Sequence, residues 1–407
     1  MSAAAHRSVG SMSPRGALAT VVIAGLLTID RNPSSAGEWV ATHYLYSYQD
    51  GLRKRALVGS VLRAVTGDGP VTLELATALG LLHLLVFVVL AGLLTAAVAR
   101  RDREDATTAL VLGVLIVGST HARTLAFDVG RFDVLLLVIL LAFALLSLWD
   151  ARAGLIALPP LLVTGMLVHE IAILATAPLM TLMALHRLRS LDRARTWMLA
   201  GIGTAALTGV VVIAFLATAR RSSEAAEAAL LAISNRAAFL PANDTIWIQS
   251  SSTLGNVRNT LLRVLDVGPA AVLVLLVVAV PACVLAYEAT LRHDRSRSAH
   301  VLGAAALSPL ILMLVAHDYG RWTVLAVTNV LILALWWRGV RGAADGTGAE
   351  RRLPGLDLRS ARILVLMFLA LLLPSPFQGG LRFPGVMPRT GSALRTSAEE
   401  LLRLVTG

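Results

Sequence analysis

Long apolar stretches with few charged residues recur along this chain of 407 residues. Continuous runs of this kind are typical of membrane-spanning helices, whereas a β-barrel would alternate polar and apolar positions. The composition excludes a soluble globular protein, since 56% of the residues are hydrophobic, 15% are charged and the mean hydropathy is +0.73. The sequence therefore predicts an all-α polytopic membrane bundle of about eleven helices. The runs fall near 16–29, 73–99, 107–119, 134–149, 155–168, 171–185, 197–218, 270–290, 299–316, 323–337 and 361–375.

The transmembrane domain is predicted over residues 1–375, and residues 376–407 are predicted to be a short extracytoplasmic tail. The runs 107–119 and 155–168 are shorter than the roughly 20 residues that a span needs. We therefore expect them to extend into the polar residues beside them or to re-enter the membrane.

Arginines are concentrated in alternate loops, and the positive-inside rule makes those loops cytoplasmic. They are 100–103, 152, 187–195, 292–297 and 338–362. The longer loops 31–72 and 219–268 are also basic, but long loops cross the membrane with less regard for charge. The N-terminus is then cytoplasmic, and the loops 31–72, 120–133, 219–268 and 317–322 face outward. Nearly all basic residues are arginine, which is typical of a bacterial protein, so we expect the bacterial cytoplasmic membrane. The net charge of +11 is spread over both faces, which favours contact with membrane lipids and not with nucleic acid.

Dense polar blocks lie at the predicted outer ends of several runs. Charged side chains near a membrane span are costly and are usually kept for a task. The blocks are Asp128 to Asp133 with Arg131, the pair His169-Glu170, and His317 to Trp322 with Asp318 and Arg321. We hypothesise that they line one outer cavity, in which Arg131 and Arg321 bind phosphate, His317 and Asp318 assist, and Asp128 or Asp133 acts as base or metal ligand. A divalent metal, Mg²⁺ or Mn²⁺, is compatible with these residues but not required.

Each block also has a structural interpretation. Asp128 and Asp133 can mark a helix N-terminus with an ion pair to Arg131. The pair His169-Glu170 can lock two helices through a buried ion pair, and Asp318 can pair with Arg321 three residues later.

The first outer loop contains a segment, 50–63, that mixes basic and apolar residues. It predicts an amphipathic helix lying in the membrane interface. Such a helix can serve as an anchor, or one of Arg53, Lys54 and Arg55 can hold a lipid phosphate while Asp50 faces the reaction centre.

This arrangement, an acidic residue and an interfacial helix in the first outer loop and a second acidic site in a later one, resembles the C-type (GT-C) membrane glycosyltransferases. The resemblance implies transfer of a sugar from a polyprenyl-phosphate donor to a glycan or lipid acceptor on the outer face. It implies Asp50 as base, with Asp133 as its rival, and a phosphate held by arginines. His169 and Glu170 would shape the acceptor or metal site.

Two features depart from that family. Its first loop commonly carries an adjacent acidic pair, whereas here Asp50 stands alone with Glu38 twelve residues earlier. The large soluble C-terminal domain of many members is replaced by residues 376–407.

Two other functions remain open. A polymerase or ligase acting on undecaprenyl-pyrophosphate-linked chains would use arginines in the loop 219–268. A secondary transporter would use intramembrane Asp, Glu and His for ions, although the chain shows no internal repeat.

Overall fold

The computed structural model describes residues 13–31, 35–50, 53–101, 106–188, 222–242, 297–314 and 319–344, with single residues at 201, 203 and 209. These residues form helices and connections without a β-strand; Val71 and Ala237 form an isolated parallel bridge. The helices are α1 (Pro14–Asp30), α2 (Glu38–His43), α3 (Leu57–Thr66), α4 (Leu73–Arg101), α5 (Ala106–Gly118), α6 (Thr120–Phe127), α7 (Asp133–Trp149), α8 (Ala151–Val168), α9 (Ala172–Ala175), α10 (Ala177–Leu188), α11 (Ser223–Ser234), α12 (Arg297–Ala306) and α13 (Tyr319–Ala344). Two 3₁₀ turns cover Tyr48–Asp50 and Ser308–Leu314.

Within the described residues, four helices are long and apolar enough to cross a membrane, which indicates a membrane protein. They are Leu73–Arg101, Ala106–Phe127, Ala151–Val168 and Arg321–Arg341. Both short runs therefore extend into neighbouring residues. The span that contains the run 107–119 reaches Phe127 through α5, Ser119 and α6, and the span that contains the run 155–168 begins at Ala151. The predicted runs 197–218, 270–290 and 361–375 and the tail 376–407 lie outside the described residues, apart from three isolated positions in the first of them.

Helix α13 is the most enclosed of the four, since 83% of its apolar window is buried. It packs against α4, α5 and α7, and α4 in turn packs against α1, α5 and α7. The pair α7 and α8 form an antiparallel hairpin joined at Asp150, whose side chain accepts a bond from the Arg152 backbone N–H and caps α8. The core is thus a bundle around α13, and the helix ends bring distant parts of the sequence together.

The run 171–185 differs from a simple span. It forms the single turn α9 and then α10, with Thr176 between them. The run 299–316 is likewise divided, into α12 and a 3₁₀ turn that ends at Leu314. The polar pair His169-Glu170 therefore lies in the connection between α8 and α9.

The predicted first outer loop, 31–72, contains the expected amphipathic helix, although α3 begins only at Leu57. Gly59 and Leu62 face the protein, and Gly59 is required because a Cβ there would lie 2.1 Å from the Tyr46 carbonyl oxygen. Val65 is 80% exposed, and Val61 is 57% exposed. The residues just before α3 are therefore a packed connection and not helix.

The segment 222–242, which contains α11, lies against this first loop. The Val71 N–H donates to the Arg236 carbonyl at 2.7 Å, and the Ala238 N–H donates to the Val71 carbonyl at 3.0 Å. The Ala242 N–H donates to the Thr42 hydroxyl at 2.9 Å. Part of the predicted outer loop 219–268 thus covers the first outer loop.

Candidate functional site

Arg321 and Asp133 join the beginning of α13 to the beginning of α7. The Arg321 guanidinium donates from Nε to Oδ2 of Asp133 and from Nη2 to Oδ1, the latter over 2.5 Å. The Asp133 side chain is 2% exposed, so this forked ion pair is shielded from water. Arg321 Nη2 also lies 2.8 Å from His169 Nε2, at the end of α8. Arg321 therefore holds three helices at one point.

Glu170, the residue after His169, connects these residues to Arg55 in the predicted first outer loop. Arg55 donates from Nε to both Glu170 oxygens at 3.1 and 3.0 Å, and from Nη2 to Oε1 at 2.5 Å. His169 Nδ1 lies 3.1 Å from Glu170 Oε2, and Arg55 Nη1 lies 3.2 Å from His43 Nε2. The resulting unbroken series, named here the arginine–carboxylate chain, runs through Asp133, Arg321, His169, Glu170, Arg55 and His43.

Two of the three contacts of the His169 ring nitrogens, those with Arg321 and Glu170, agree on one tautomer, and the contact that disagrees, between the Ile171 N–H and Nδ1 at 3.3 Å, is the longest of the three. An arginine nitrogen can only donate, so Nε2 of His169 accepts from Arg321 and the proton of the neutral ring is on Nδ1. That proton is directed to Glu170, because a carboxylate accepts and carries charge. His169 therefore connects the two ion pairs as a neutral ring.

Arg55 has an unusual backbone conformation, with φ at +59°. This left-handed region costs a residue other than glycine about 1 to 2 kcal/mol. The bonds to Glu170 and His43 offset that cost. Backbone strain of this kind is concentrated at functional sites.

Arg131 approaches the same region from the turn before α7. Gly130 has φ at +90°, and a Cβ there would lie 2.9 Å from the Val40 side chain, so the turn requires glycine. Tyr44 fixes the turn by donating its hydroxyl to the Gly130 carbonyl at 2.9 Å. Arg131 lies 3.4 Å from Asp128 and stacks on Trp39, with 5.2 Å between the guanidinium carbon and the ring centre.

A cleft opens where these elements meet. Three arginines and two histidines contribute to its wall, and none of the described residues lining it carries a carboxylate. The cleft is narrow, with room for about one water-sized group, so a larger ligand enters only if side chains shift. Its lining residues are Trp39, Val40, His43, Arg55, Gly130, Arg131, Phe132, His169 and Arg321.

The described wall of the cleft presents three guanidinium groups, and each of them also contacts a carboxylate that does not line the cleft. Burial lowers the pKa of His43 well below its ordinary value, and the adjacent Arg55 charge lowers it further, so His43 is neutral at neutral pH. Burial also lowers the pKa of Lys54, against the opposing effect of Glu170. The three consecutive basic residues Arg53, Lys54 and Arg55 are 4%, 7% and 8% exposed. Charges buried in this way require counter-charges.

Asp50 lies in a second polar group within the first loop. Its Oδ1 accepts from Arg63 Nη1 at 2.8 Å, and Arg63 Nε reaches Asp68 at 2.7 Å. The other carboxylate oxygen of Asp50, Oδ2, is buried and has no hydrogen-bond partner among the described residues. Arg53 donates to the Asp50 backbone carbonyl, at 3.1 Å from Nη2. Arg236 approaches from the covering segment, with its Nη1 3.4 Å from the Leu45 carbonyl.

The structure thus brings together Asp133, His169, Glu170, Arg55 and Arg321, with Asp128 and Arg131 beside them. Asp50 and Arg53 lie in the second polar group, whereas His317 and Asp318 lie outside the described residues. The expected pairing of Asp318 with Arg321 is therefore untested, while Arg321 is engaged with Asp133. The basic residues 53–55, expected at lipid headgroups, are instead buried.

Sequence reasoning overlooked His43 and Trp39, which line the cleft. A signal did exist: both lie in the predicted first outer loop, four residues apart, at a spacing that places them on one helix face. Tyr44 was also overlooked, and its hydroxyl contact with Gly130 could not be found from local sequence.

A metal ion finds no grouped ligands in the described part of the chain, where no set of three or more His, Cys, Asp or Glu side chains is close enough to bind one. The carboxylates of the arginine–carboxylate chain are engaged by arginine.

Comparison with known proteins yields no relative: no protein-family model, no curated protein and no solved structure matches this chain.

Proposed function

We propose that this chain is a membrane glycosyltransferase that moves a sugar from a polyprenyl-phosphate donor to a cell-envelope glycan or lipid acceptor. The observation that carries the proposal is the cleft with Arg55, Arg131 and Arg321 in its wall at one end of a helix bundle. Guanidinium groups bind phosphate through parallel hydrogen bonds, which makes a phosphate the best-matched ligand.

The location favours a lipid phosphate over a soluble one. The cleft lies at the ends of candidate membrane helices, next to the loop that contains α3. The exposed valines of α3, Val61 and Val65, provide an apolar surface beside the first loop for a polyprenyl chain. In this proposal the helix bundle has about eleven spans, and the cleft faces outward from the bacterial cytoplasmic membrane.

The carboxylates of the cleft region act mainly on the arginines. Both oxygens of Asp133 accept from Arg321, and both oxygens of Glu170 accept from Arg55. A carboxylate engaged in this way is a poor proton acceptor, because the arginine stabilises its ionised form. We assign both residues to holding the phosphate-binding arginines in place.

Asp50 is the proposed general base. One of its oxygens is bonded to Arg63, while Oδ2 is buried without a partner among the described residues, and we assign Oδ2 to the acceptor hydroxyl, which reaches it only if neighbouring side chains shift. The acceptor oxygen attacks the anomeric carbon and forms the new glycosidic bond as the bond to the phosphate oxygen breaks. The proton passes to Asp50, and the polyprenyl phosphate leaves with the electron pair, its charge stabilised by the arginines.

The proposal is tested with full-length protein in lipid vesicles, supplied with polyprenyl-phosphate donors carrying a hexose or a pentose and with cell-envelope glycans and lipids as acceptors. The measurement is release of free polyprenyl phosphate. Asp50→Asn and Arg131→Gln should each reduce release at least tenfold, because one removes the base and the other a phosphate contact. Arg187→Gln, at the opposite end of the bundle, is the matched control and should stay active.

Two results would overturn the proposal. One is wild-type protein that releases no polyprenyl phosphate from any donor of either sugar class. The other is an Arg131→Gln variant as active as wild type.

A further inference from the structure

His43 is the last residue of α2 and lines the cleft with 4% of its surface exposed. Its Nδ1 lies 2.8 Å from the Trp39 carbonyl oxygen, four residues earlier. Its Nε2 lies 3.2 Å from Arg55 Nη1. The ring thus connects a helix end to a phosphate-binding arginine.

The two partners of His43 define its tautomer. A carbonyl oxygen only accepts, so Nδ1 carries the proton, and an arginine only donates, so Nε2 presents its lone pair to Arg55. A neutral ring satisfies both bonds. A doubly protonated ring would instead direct an N–H at the guanidinium.

Arg55 depends on external support because its backbone is in the left-handed region. Glu170 takes the edge formed by Nε and Nη2, which leaves Nη1 as the nitrogen that Glu170 does not hold. Nη1 carries two hydrogens. One is accepted by His43, and the other remains for a ligand in the cleft that both residues line.

We propose that His43 is a positioning residue that orients Arg55 toward a bound phosphate. The inference rests on the proposed phosphate-binding function of the cleft. By accepting one Nη1 hydrogen, the ring keeps the guanidinium in the plane that its bonds to Glu170 define and aims the second hydrogen into the cleft. His43 itself does not need to touch the phosphate.

Two amide substitutions separate the two bonds of His43. The His43→Gln side chain reaches the position of Nε2 and can still accept from Arg55, but loses the bond to Trp39. The His43→Asn side chain retains a donor near Nδ1 for the Trp39 carbonyl, but is too short for Arg55. A purely structural role at the end of α2 would favour Asn, whereas the positioning role favours Gln.

The experiment measures binding of farnesyl monophosphate to the full-length protein in detergent. His43→Gln should bind within about threefold of wild type, and His43→Asn should bind about tenfold more weakly, because one bond to a charged group is lost. In an Arg55→Gln background, where no guanidinium remains to be oriented, the Gln and Asn variants should bind equally. His186→Asn, next to Trp336 and Trp337 at the opposite end, is the control.

The outcomes are distinguishable. If wild type binds farnesyl monophosphate but His43→Asn binds as well as His43→Gln, the positioning role is overturned and the proposed function stands. The positioning role is also overturned if the difference between them persists in the Arg55→Gln background. If wild type does not bind the probe, the proposed function fails and this inference falls with it. If His43→Asn does not fold, the affinity of His43→Gln for farnesyl monophosphate is compared with that of wild type. An affinity more than tenfold weaker than that of wild type contradicts the inference.

Discussion

The two ends of the helix bundle both use arginine, but with different partners. At one end, Arg321 pairs with the buried Asp133 and Arg55 pairs with the partly buried Glu170, beside a cleft. At the other end, Arg101 Nη2 donates to the Leu148 carbonyl at 2.6 Å, and Arg187 Nε donates to the Ser147 carbonyl at 3.0 Å. The second pattern is a helix cap, since the last carbonyls of a helix lack partners and carry partial negative charge.

The difference separates structural from functional arginines. An arginine that caps a carbonyl stabilises a helix end without a charged partner, and this role does not require a ligand to supply a counter-charge. The cluster at the first end combines arginines, carboxylates and neutral histidines, and burying such a cluster is costly unless its geometry is fixed. Its arginines also line the cleft, where their N–H groups can reach a ligand. We therefore expect substitutions at the first end to affect binding, and those at the second end to affect stability alone.

The largest effect is expected from the pair Arg321 and Asp133. Arg321→Gln leaves a buried carboxylate without its partner, which should cost about 3 to 5 kcal/mol of unfolding free energy. The double variant Asp133→Asn with Arg321→Gln should recover most of that stability but not the binding of farnesyl monophosphate. Thermal unfolding in detergent and a binding titration measure the two quantities. A double variant that binds as wild type does would remove Arg321 from the ligand site.

An acid-dependent loss of stability is expected from His43. Its pKa is lowered in the folded protein, so below the ordinary value of about 6.5 the unfolded chain takes up the proton first and stability falls. The slope is at most about 1.4 kcal/mol per pH unit for one group. The unfolding free energies of wild type and of His43→Gln are measured between pH 7.5 and 5. The difference between the two curves isolates the contribution of His43, because all other titrating groups are common to both proteins. Parallel curves would show that His43 is not held neutral.

At the opposite end, Arg101→Gln should cost about 1 kcal/mol of stability, because its bonds to the carbonyls of Leu148 and Gly339 are lost. The same variant should bind farnesyl monophosphate with wild-type affinity. Reduced affinity in a stably folded Arg101→Gln protein would break the distinction between the two ends.

The smallest effect is expected at Asp128, whose side chain is 36% exposed and whose contact with Arg131 is long. Asp128→Asn should change stability by less than about 1 kcal/mol. Binding should stay within about threefold of wild type, shifted toward tighter binding, because Arg131 loses a competitor for its charge. If binding weakens more than tenfold, Asp128 contacts the ligand directly.

Part of the first end of the bundle could be predicted from the sequence. Within the described residues, apolar runs predicted the four helices long enough to cross a membrane, and the positions of the polar blocks at run ends predicted that Asp133, His169 and Arg321 lie on one side. Side-chain pairing was not accessible, because it depends on which way each helix faces in the bundle. Nothing in the local sequence of Arg321 predicts its partner Asp133, which is 188 residues away along the chain.

Burial of the residues 53–55 was also beyond sequence reasoning. A basic run normally lies in water or at headgroups, and only the position of Glu170 on another helix end makes burial of Arg55 favourable. The left-handed backbone of Arg55 has no sequence signal either, since glycine would be expected there.

The most direct test of the central claim compares Arg131→Gln with Arg187→Gln in binding of farnesyl monophosphate to the full-length protein. Arg131 lines the cleft and has a weak ion pair, so its loss should leave the fold intact and weaken binding about tenfold or more. Arg187 caps a helix end at the opposite side of the bundle, so its loss should leave binding unchanged. Equal affinities for the two folded variants would contradict the assignment of the cleft as a phosphate site.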